Sequence, residues 1–232
     1  MLTRKQGDLL AAQYRTQGIV RIASFLPEAE ALSLHNMLRG RDDWRRVFNS
    51  GDKIFELDRL AQASLNDERR AALDEAVYSG ARQAFQYRYE TIRVPDGEQE
   101  RRASADPLAA LALQLSGGAI REQFQRITGA SRIGFADAQA TAFSPGDFLT
   151  GHDDNFAGKD RIAAYVLSLT PIWRTEWGGL LIMHEDHDQP SRAFPPAMNV
   201  MTLFNVPQMH SVSEVSRAAA YRRYSITGWL RG

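Results

Sequence analysis

The chain contains no cysteine. That removes disulfides, iron–sulfur clusters, thiolate zinc sites and cysteine nucleophiles together, and it tilts the expected location toward the cytoplasm. Also missing is any apolar run near the roughly 18 residues that a membrane span requires. The opening "MLTRKQGDLLAAQYRTQG" (1–18) is charged and reads as a helix, without an apolar core of signal-peptide length. Net charge is absent as well, since 28 Lys+Arg offset 28 Asp+Glu. No overall field therefore draws the chain to nucleic acid or to an anionic membrane. Local basic groups in "RGRDDWRR" (39–46) and "YRRY" (221–224) read as solvated surface.

What is present is an ordinary globular composition, 44% hydrophobic and 24% charged, in 232 residues. This suits one domain spanning 1–232. Its two parts differ in period. Residues 1–130 read as a mostly helical support region. "PEAEALSLHNMLRG" (27–40) starts on proline and acidic residues and stops at Gly40. "LNDERRAALDEAVYSGARQAFQYRYE" (65–90) carries apolar residues at three-to-four spacing after an Asn–Asp–Glu start. "PLAALALQLSGG" and "AIREQFQRITG" give two shorter helices closed by glycine. One short strand, "GIVRIASF" (18–25), interrupts them, and the polar "VPDGEQERRASADP" (94–107) reads as a mobile loop. Residues 131–232 are a succession of short segments rich in β-formers, separated by Pro, Gly, Asn and Asp. That pattern predicts a barrel or sandwich with the helices packed outside it.

"LTGHDDNF" (149–156) is the first sign of chemistry. On a strand, residues two apart share a face, so His152 and Asp154 point one way and Asp153 the other. A His-x-Asp pair can present two ligands of a 2-His-1-carboxylate triad, but alone it is equally a polar strand end. A second histidine must come from later. His184 and His187 lie in "HEDHDQP", a polar run ending in proline, which reads as an exposed turn. His210 lies between apolar β segments, just ahead of an alternating strand. Thirteen residues further, "RYSITGW" places Arg223, Ser225 and Thr227 on one strand face. An arginine turned into a barrel needs an anion, because a buried unpaired guanidinium is costly. A dicarboxylate held by the guanidinium fork would supply it. His35 reads as a surface or core-edge histidine of an amphipathic helix, Trp173, Trp177 and Trp229 as packing residues, and Arg222 as solvent-facing.

His152-x-Asp154, His210 and "RYSITGW", in this order, resemble the 2-oxoglutarate/Fe(II)-dependent oxygenases of the prolyl-hydroxylase-like branch. "SPGDFLTGHDD" is similar to that branch's lead-in to the first histidine, and "WRTEWGGLLIM" (173–183) to its Trp–spacer–Gly-Gly–strand element. "HSVSEV" followed by "RYSITGW" resembles the ribosomal prolyl hydroxylases within it. The resemblance covers residues 140–231. It implies a mainly β fold with α elaboration, a double-stranded β-helix (jelly-roll) barrel flanked by N-terminal helices. It further implies Fe(II) on His152, Asp154 and His210, with Arg223 on the distal carboxylate of 2-oxoglutarate. O2 would be the oxidant, and ascorbate is a candidate additional cofactor. Two tyrosines common in that branch are replaced here by Phe143 and Ser168, so Ser168, Ser225 or water is expected to take over a co-substrate contact. The implied reaction is oxidative decarboxylation of 2-oxoglutarate coupled to hydroxylation of a prolyl residue in a protein or peptide. The alternatives are hydroxylation of a free amino acid or other small molecule, and a non-catalytic jelly-roll binding or sensing module. Neither a nucleic-acid nor a membrane partner is expected.

Overall fold

A capping box starts the first helix: Thr3 Oγ1 accepts from the Gln6 N–H, and the Gln6 side chain accepts from the Thr3 N–H at 2.8 Å. This helix, α1 (Arg4–Gln17), ends at Gly18, whose left-handed φ of 68° turns the chain into strand β1 (Ile19–Ala23). The computed structural model describes residues 2–185 and 190–232, so His187 lies outside the described residues. Then follow α2 (Glu28–Gly40), a hairpin of β2 (Arg45–Ser50) and β3 (Lys53–Leu57), α3 (Arg59–Ala63), α4 (Asp67–Ala81) and β4 (Tyr87–Arg93). Three more helices, α5 (Glu98–Ala103), α6 (Pro107–Ser116) and α7 (Gly118–Thr128), complete the helical part. The β part comprises β5 (Phe135–Ala136), β6 (Gln139–Phe143), β7 (Phe148–His152), β8 (Arg161–Leu169), β9 (Leu181–Met183), β10 (Arg192–Phe194), β11 (Met198–Asn205), β12 (His210–Val212) and β13 (Arg223–Arg231).

Among the described residues, these strands form one antiparallel sheet of order β1-β11-β8-β13-β6-β4-β7-β12-β9-β10, with β2 and β3 extending from β4 and β5 pairing with β13. The sheet curls into a half-barrel. On its helical side an apolar core runs from Leu34, Leu38 and Trp44 through Leu111, Leu115 and Phe124 to Leu167, Met201 and Ile226. His35 belongs to that core, its Nδ1 2.8 Å from the Leu169 carbonyl. No helix among the described residues is long and apolar enough to cross a membrane.

Three sequence expectations need correction. The helix expected over 65–90 stops at Ala81, and β4 begins at Tyr87. The tail "YRYETIR" alternates aromatic and β-branched residues with polar ones, and that two-residue period is the signal of a strand. The 94–107 stretch is not a bare loop, because it contains α5, and Arg101 of that helix is buried with its guanidinium donating to the Ala136 and Pro95 carbonyls. Arg222 is not simply solvent-facing: it pairs with buried Glu90, which also accepts from Arg59 at 2.9 Å, and it stacks against Trp44 and Tyr224.

Gly228 on β13 is where the sheet approaches its neighbouring loop most closely. A Cβ there would sit 2.1 Å from the Asp137 carbonyl oxygen, which is backbone and is also held by the Tyr165 hydroxyl. Gly228→Ala is therefore expected to destabilise the fold by about 1–3 kcal/mol, the range for forcing extra atoms into packed structure. A lowered urea midpoint at unchanged slope would show it.

Candidate metal centre

Strands β7 and β12 pair antiparallel with His152 directly opposite His210. Cross-strand neighbours project to the same side, and the two imidazoles come to 4.1 Å between ring centroids. The carboxylate arrives differently from the expectation of simple alternation, since β7 ends at His152 and Asp154 follows in the left-handed region at φ 62°. Aspartate tolerates that region better than most residues. The turn is held on both sides, by Asp153 Oδ1 accepting from the Asn155 N–H at 2.9 Å and by Arg161 donating to the Asp154 carbonyl at 3.0 Å. Asp153 thus spends its carboxylate on the loop, as its outward assignment required. Asp154 turns inward, with Oδ1 3.4 Å from His152 Nε2 and Oδ2 3.4 Å from His210 Nε2. The ligand atoms of the three residues all lie within 4.8 Å of one another.

The rings are prepared as ligands. His152 Nδ1 is 3.0 Å from the Thr150 carbonyl and His210 Nδ1 is 2.7 Å from the Gln208 carbonyl. A carbonyl accepts only, so each Nδ1 carries the proton and each Nε2 lone pair is left facing Asp154. Burial, with His152 alongside, pushes the His210 pKa down to about 4. Burial would raise the pKa of Asp154, but its interactions with His152 and His210 outweigh that and hold the carboxyl below its ordinary value. Two neutral imidazoles and one carboxylate are the donor set that suits a divalent first-row metal. His184 stands apart from this cluster, with its Nε2 2.8 Å from Ser211 Oγ.

The triad opens into a cavity of about 260 Å³ whose wall includes Tyr87, Tyr89, Phe143, Arg161, Arg223 and Trp229. Arg223 is buried, and no carboxylate among the described residues lies within ion-pair distance of it; its nearest ring is Phe143, 5.0 Å from the guanidinium carbon. Ser225 Oγ is buried without a partner, whereas Ser168 Oγ already accepts from the Ala197 N–H at 3.0 Å. Trp229 lines the cavity with its indole Nε1 buried and without a hydrogen-bond partner, and Arg161 lies 3.5 Å over its ring. Tyr87 and Tyr89 escape a reading that takes 65–90 as helix; their i, i+2 spacing in "YRYETIR" was the available signal. A wider groove of about 740 Å³ lies elsewhere, along α5, α6 and α7, and no metal-ligating cluster among the described residues borders it.

The chain is similar to known proteins. Residues 138–231 match the family model described as the 2OG-Fe(II) oxygenase superfamily. A prolyl 3-hydroxylase, sudestada1 of Drosophila melanogaster, is 30% identical over 133 residues, 52% of this chain and 24% of that protein. The chain therefore spans only about a quarter of the relative's length. Among solved structures, a Pseudomonas putida prolyl-4-hydroxylase superposes with a TM-score of 0.60 at 20% identity, covering 97% of this chain and 98% of that one. A Trichoplax adhaerens prolyl hydroxylase in complex with a hypoxia inducible factor peptide fragment gives 0.61 at 17% identity, covering 98% and 89%. These structural likenesses establish the expected double-stranded β-helix fold.

Two outcomes follow from the geometry. Asp154→Ala is expected to weaken Fe(II) binding at least tenfold under anaerobic calorimetry, while Asp153→Ala leaves it within twofold; equal losses would contradict the assignment. The second concerns the metal-free protein. Folded His210 stays neutral down to pH of about 4, whereas an unfolded histidine protonates near 6.5. Between those values the unfolded state binds more protons, so stability falls as pH is lowered through this window. Denaturation midpoints measured from pH 7 to 4 should show the decline, and His210→Gln should flatten it.

Proposed function

Residues 138–231 match the 2OG-Fe(II) oxygenase superfamily model, and on that premise we propose that this chain is an Fe(II)- and 2-oxoglutarate-dependent dioxygenase hydroxylating a prolyl residue of a protein or peptide. The observation that carries this reading is Arg223. It is 3% exposed, at the wall of the cavity that holds the triad, with its Nε unpartnered. Burial holds its pKa down at about 10, so it remains charged at neutral pH. A buried cation without a protein anion is stable only if something else supplies the charge. A carboxylate gripped by the guanidinium fork is the natural complement.

His152 and His210 would hold the iron through Nε2 and Asp154 through its carboxylate, three protein ligands that would leave room for co-substrate and O2. Bound iron and 2-oxoglutarate supply the oxidising chemistry; the protein supplies placement and a dry surround. Arg223 anchors the distal carboxylate, and Phe143, Leu149, Leu181 and Val212 line the cavity with carbon. Ser225, two residues from Arg223 on β13, has a buried, unpartnered hydroxyl but does not line the cavity. Ser168 is the weaker candidate, being already engaged with Ala197. The prolyl target rests on the relatives, a prolyl 3-hydroxylase by sequence and prolyl hydroxylases by structure, one of them holding a peptide.

The test separates co-substrate from metal. Anaerobic addition of Fe(II) and then 2-oxoglutarate should develop the weak visible charge-transfer band of the chelate. Arg223→Ala should weaken 2-oxoglutarate by about 100-fold or more, as expected when one partner of a buried charge pair is removed, and leave Fe(II) binding within a few-fold. Absence of the band in the unaltered protein sinks the oxygenase reading. For the substrate, proline-containing peptides incubated with the complete system should gain the mass of one oxygen on proline. Gain only on free amino acids would exclude the prolyl-peptide target.

A further inference from the structure

The cavity wall beside Arg223 offers an aromatic ring where a phenol would be useful, yet Phe143 has no hydroxyl. The register of the sheet shows where a phenol is found instead. Phe143 on β6 pairs with Arg223 on β13. On its other side β6 pairs with β4, with Ala142 opposite Glu90 and Thr141 opposite Thr91. One residue further along that ladder, Tyr89 stands beside Phe143. Their rings stack, with centroids 5.2 Å apart and planes 19° apart, and Arg223 lies 5.0 Å from the other ring neighbour of the row, Phe143 itself. Tyr89, Phe143 and Arg223 thus form one transverse row across three adjacent strands, and all three line the cavity that contains His152, Asp154 and His210.

Among nearby hydroxyls, those of Thr141, Thr91 and Ser168 are already committed, while Ser225 Oγ is buried without a partner. Thr141 donates to the Ser225 carbonyl at 3.4 Å, and Thr91 donates to Ala140 at 3.0 Å. Ser168 is bound to the Ala197 N–H. Tyr89 is held as a neutral donor, because burial pushes its pKa up to about 12. Its Gln139 neighbour lines the same cavity.

We propose that Tyr89, one strand removed from Phe143, supplies the phenolic hydrogen bond to the 2-oxoglutarate carboxylate held by Arg223, and is a co-substrate-binding residue of this chain. This rests on the oxygenase reading given above. It makes the first, helix-rich part of the chain a contributor to the co-substrate site, through β4. A donor on a stacked ring keeps its aim without a further packing partner, since the neighbouring phenyl fixes the ring plane.

The experiment is an anaerobic titration of the Fe(II)-loaded protein with 2-oxoglutarate, followed by the charge-transfer band. Tyr89→Phe preserves the stacked ring and removes only the hydroxyl. Loss of a hydrogen bond to a charged group predicts about a tenfold or greater weakening of 2-oxoglutarate, with Fe(II) affinity and thermal midpoint unchanged. Adding Phe143→Tyr to the Tyr89→Phe protein should restore much of that affinity, because it returns a phenol to the same row. An unchanged affinity in Tyr89→Phe overturns the proposal while the oxygenase reading stands. So does an equal loss of Fe(II) and 2-oxoglutarate binding. If the unaltered protein develops no band, the oxygenase reading itself falls and this proposal falls with it.

Discussion

Everything at the centre depends on the register between β7 and β12. His210 sits opposite His152 in a ladder only three residues long on the β12 side. A slip of one residue would turn His210 to the other face of the sheet, because side chains alternate with period two. Two constraints oppose such a slip. β12 is clamped between β7 and β9, with His210 opposite Met183 on its second edge. The two carbonyls that accept the Nδ1 protons, from Thr150 and Gln208, each lie two residues before the histidine they orient. Strand pairing and tautomer are therefore set by the same short segments, and the metal would meet lone pairs already aimed.

Three buried arginines show how the fold treats a cation it cannot expose. Arg88 is met by Asp74 and Asp147 and donates to the Gly146 carbonyl at 2.7 Å. Arg101 satisfies backbone carbonyls of Pro95 and Ala136. Arg223 has neither solution. The first two are explained by structure alone: Arg88 and Arg46, the latter 3.0 Å from Asp147, surround the carboxylate that caps the Ser144 N–H at 2.8 Å and so fixes the turn into β7. The third has no such structural account. A buried charge that the protein does not neutralise is a stronger sign of function than a buried charge that it does.

How far this could be read from sequence follows from the reach of each interaction. The two histidines, Asp154 and Arg223 were legible because their spacing falls on β-like segments with clear punctuation, and the resemblance rests on the same residues. Asp154 was reached for a partly mistaken reason, since backbone at φ 62° is not a strand and alternation does not govern it. Arg222 and Glu90 were not legible as a pair, being 132 residues apart, and an ion pair of that separation leaves no local pattern. Nor was α5, whose buried Arg101 makes a polar stretch look like loop.

Tyr89 is the most informative of the missed residues. A strong helical signal over 67–81 spills into "FQYRYETIR", and the change of period from 3.6 to 2 is masked by the apolar rings that suit either. Once β4 is a strand, its place between β6 and β7 follows, and a residue from the helix-rich part enters the cavity of the His–Asp–His triad. The division into a helical support and a β core therefore does not hold at the site. The same strand that pairs with β6 to close the half-barrel also carries Tyr87 and Tyr89 to the cavity, so mutations that loosen β2 or α4 against it would be felt at the cavity wall. The triad is tied to β7 and β12 through His152 and His210, and β4 pairs with β7 directly, with Tyr87 opposite Leu149, so the two ends of the cavity share one strand pairing.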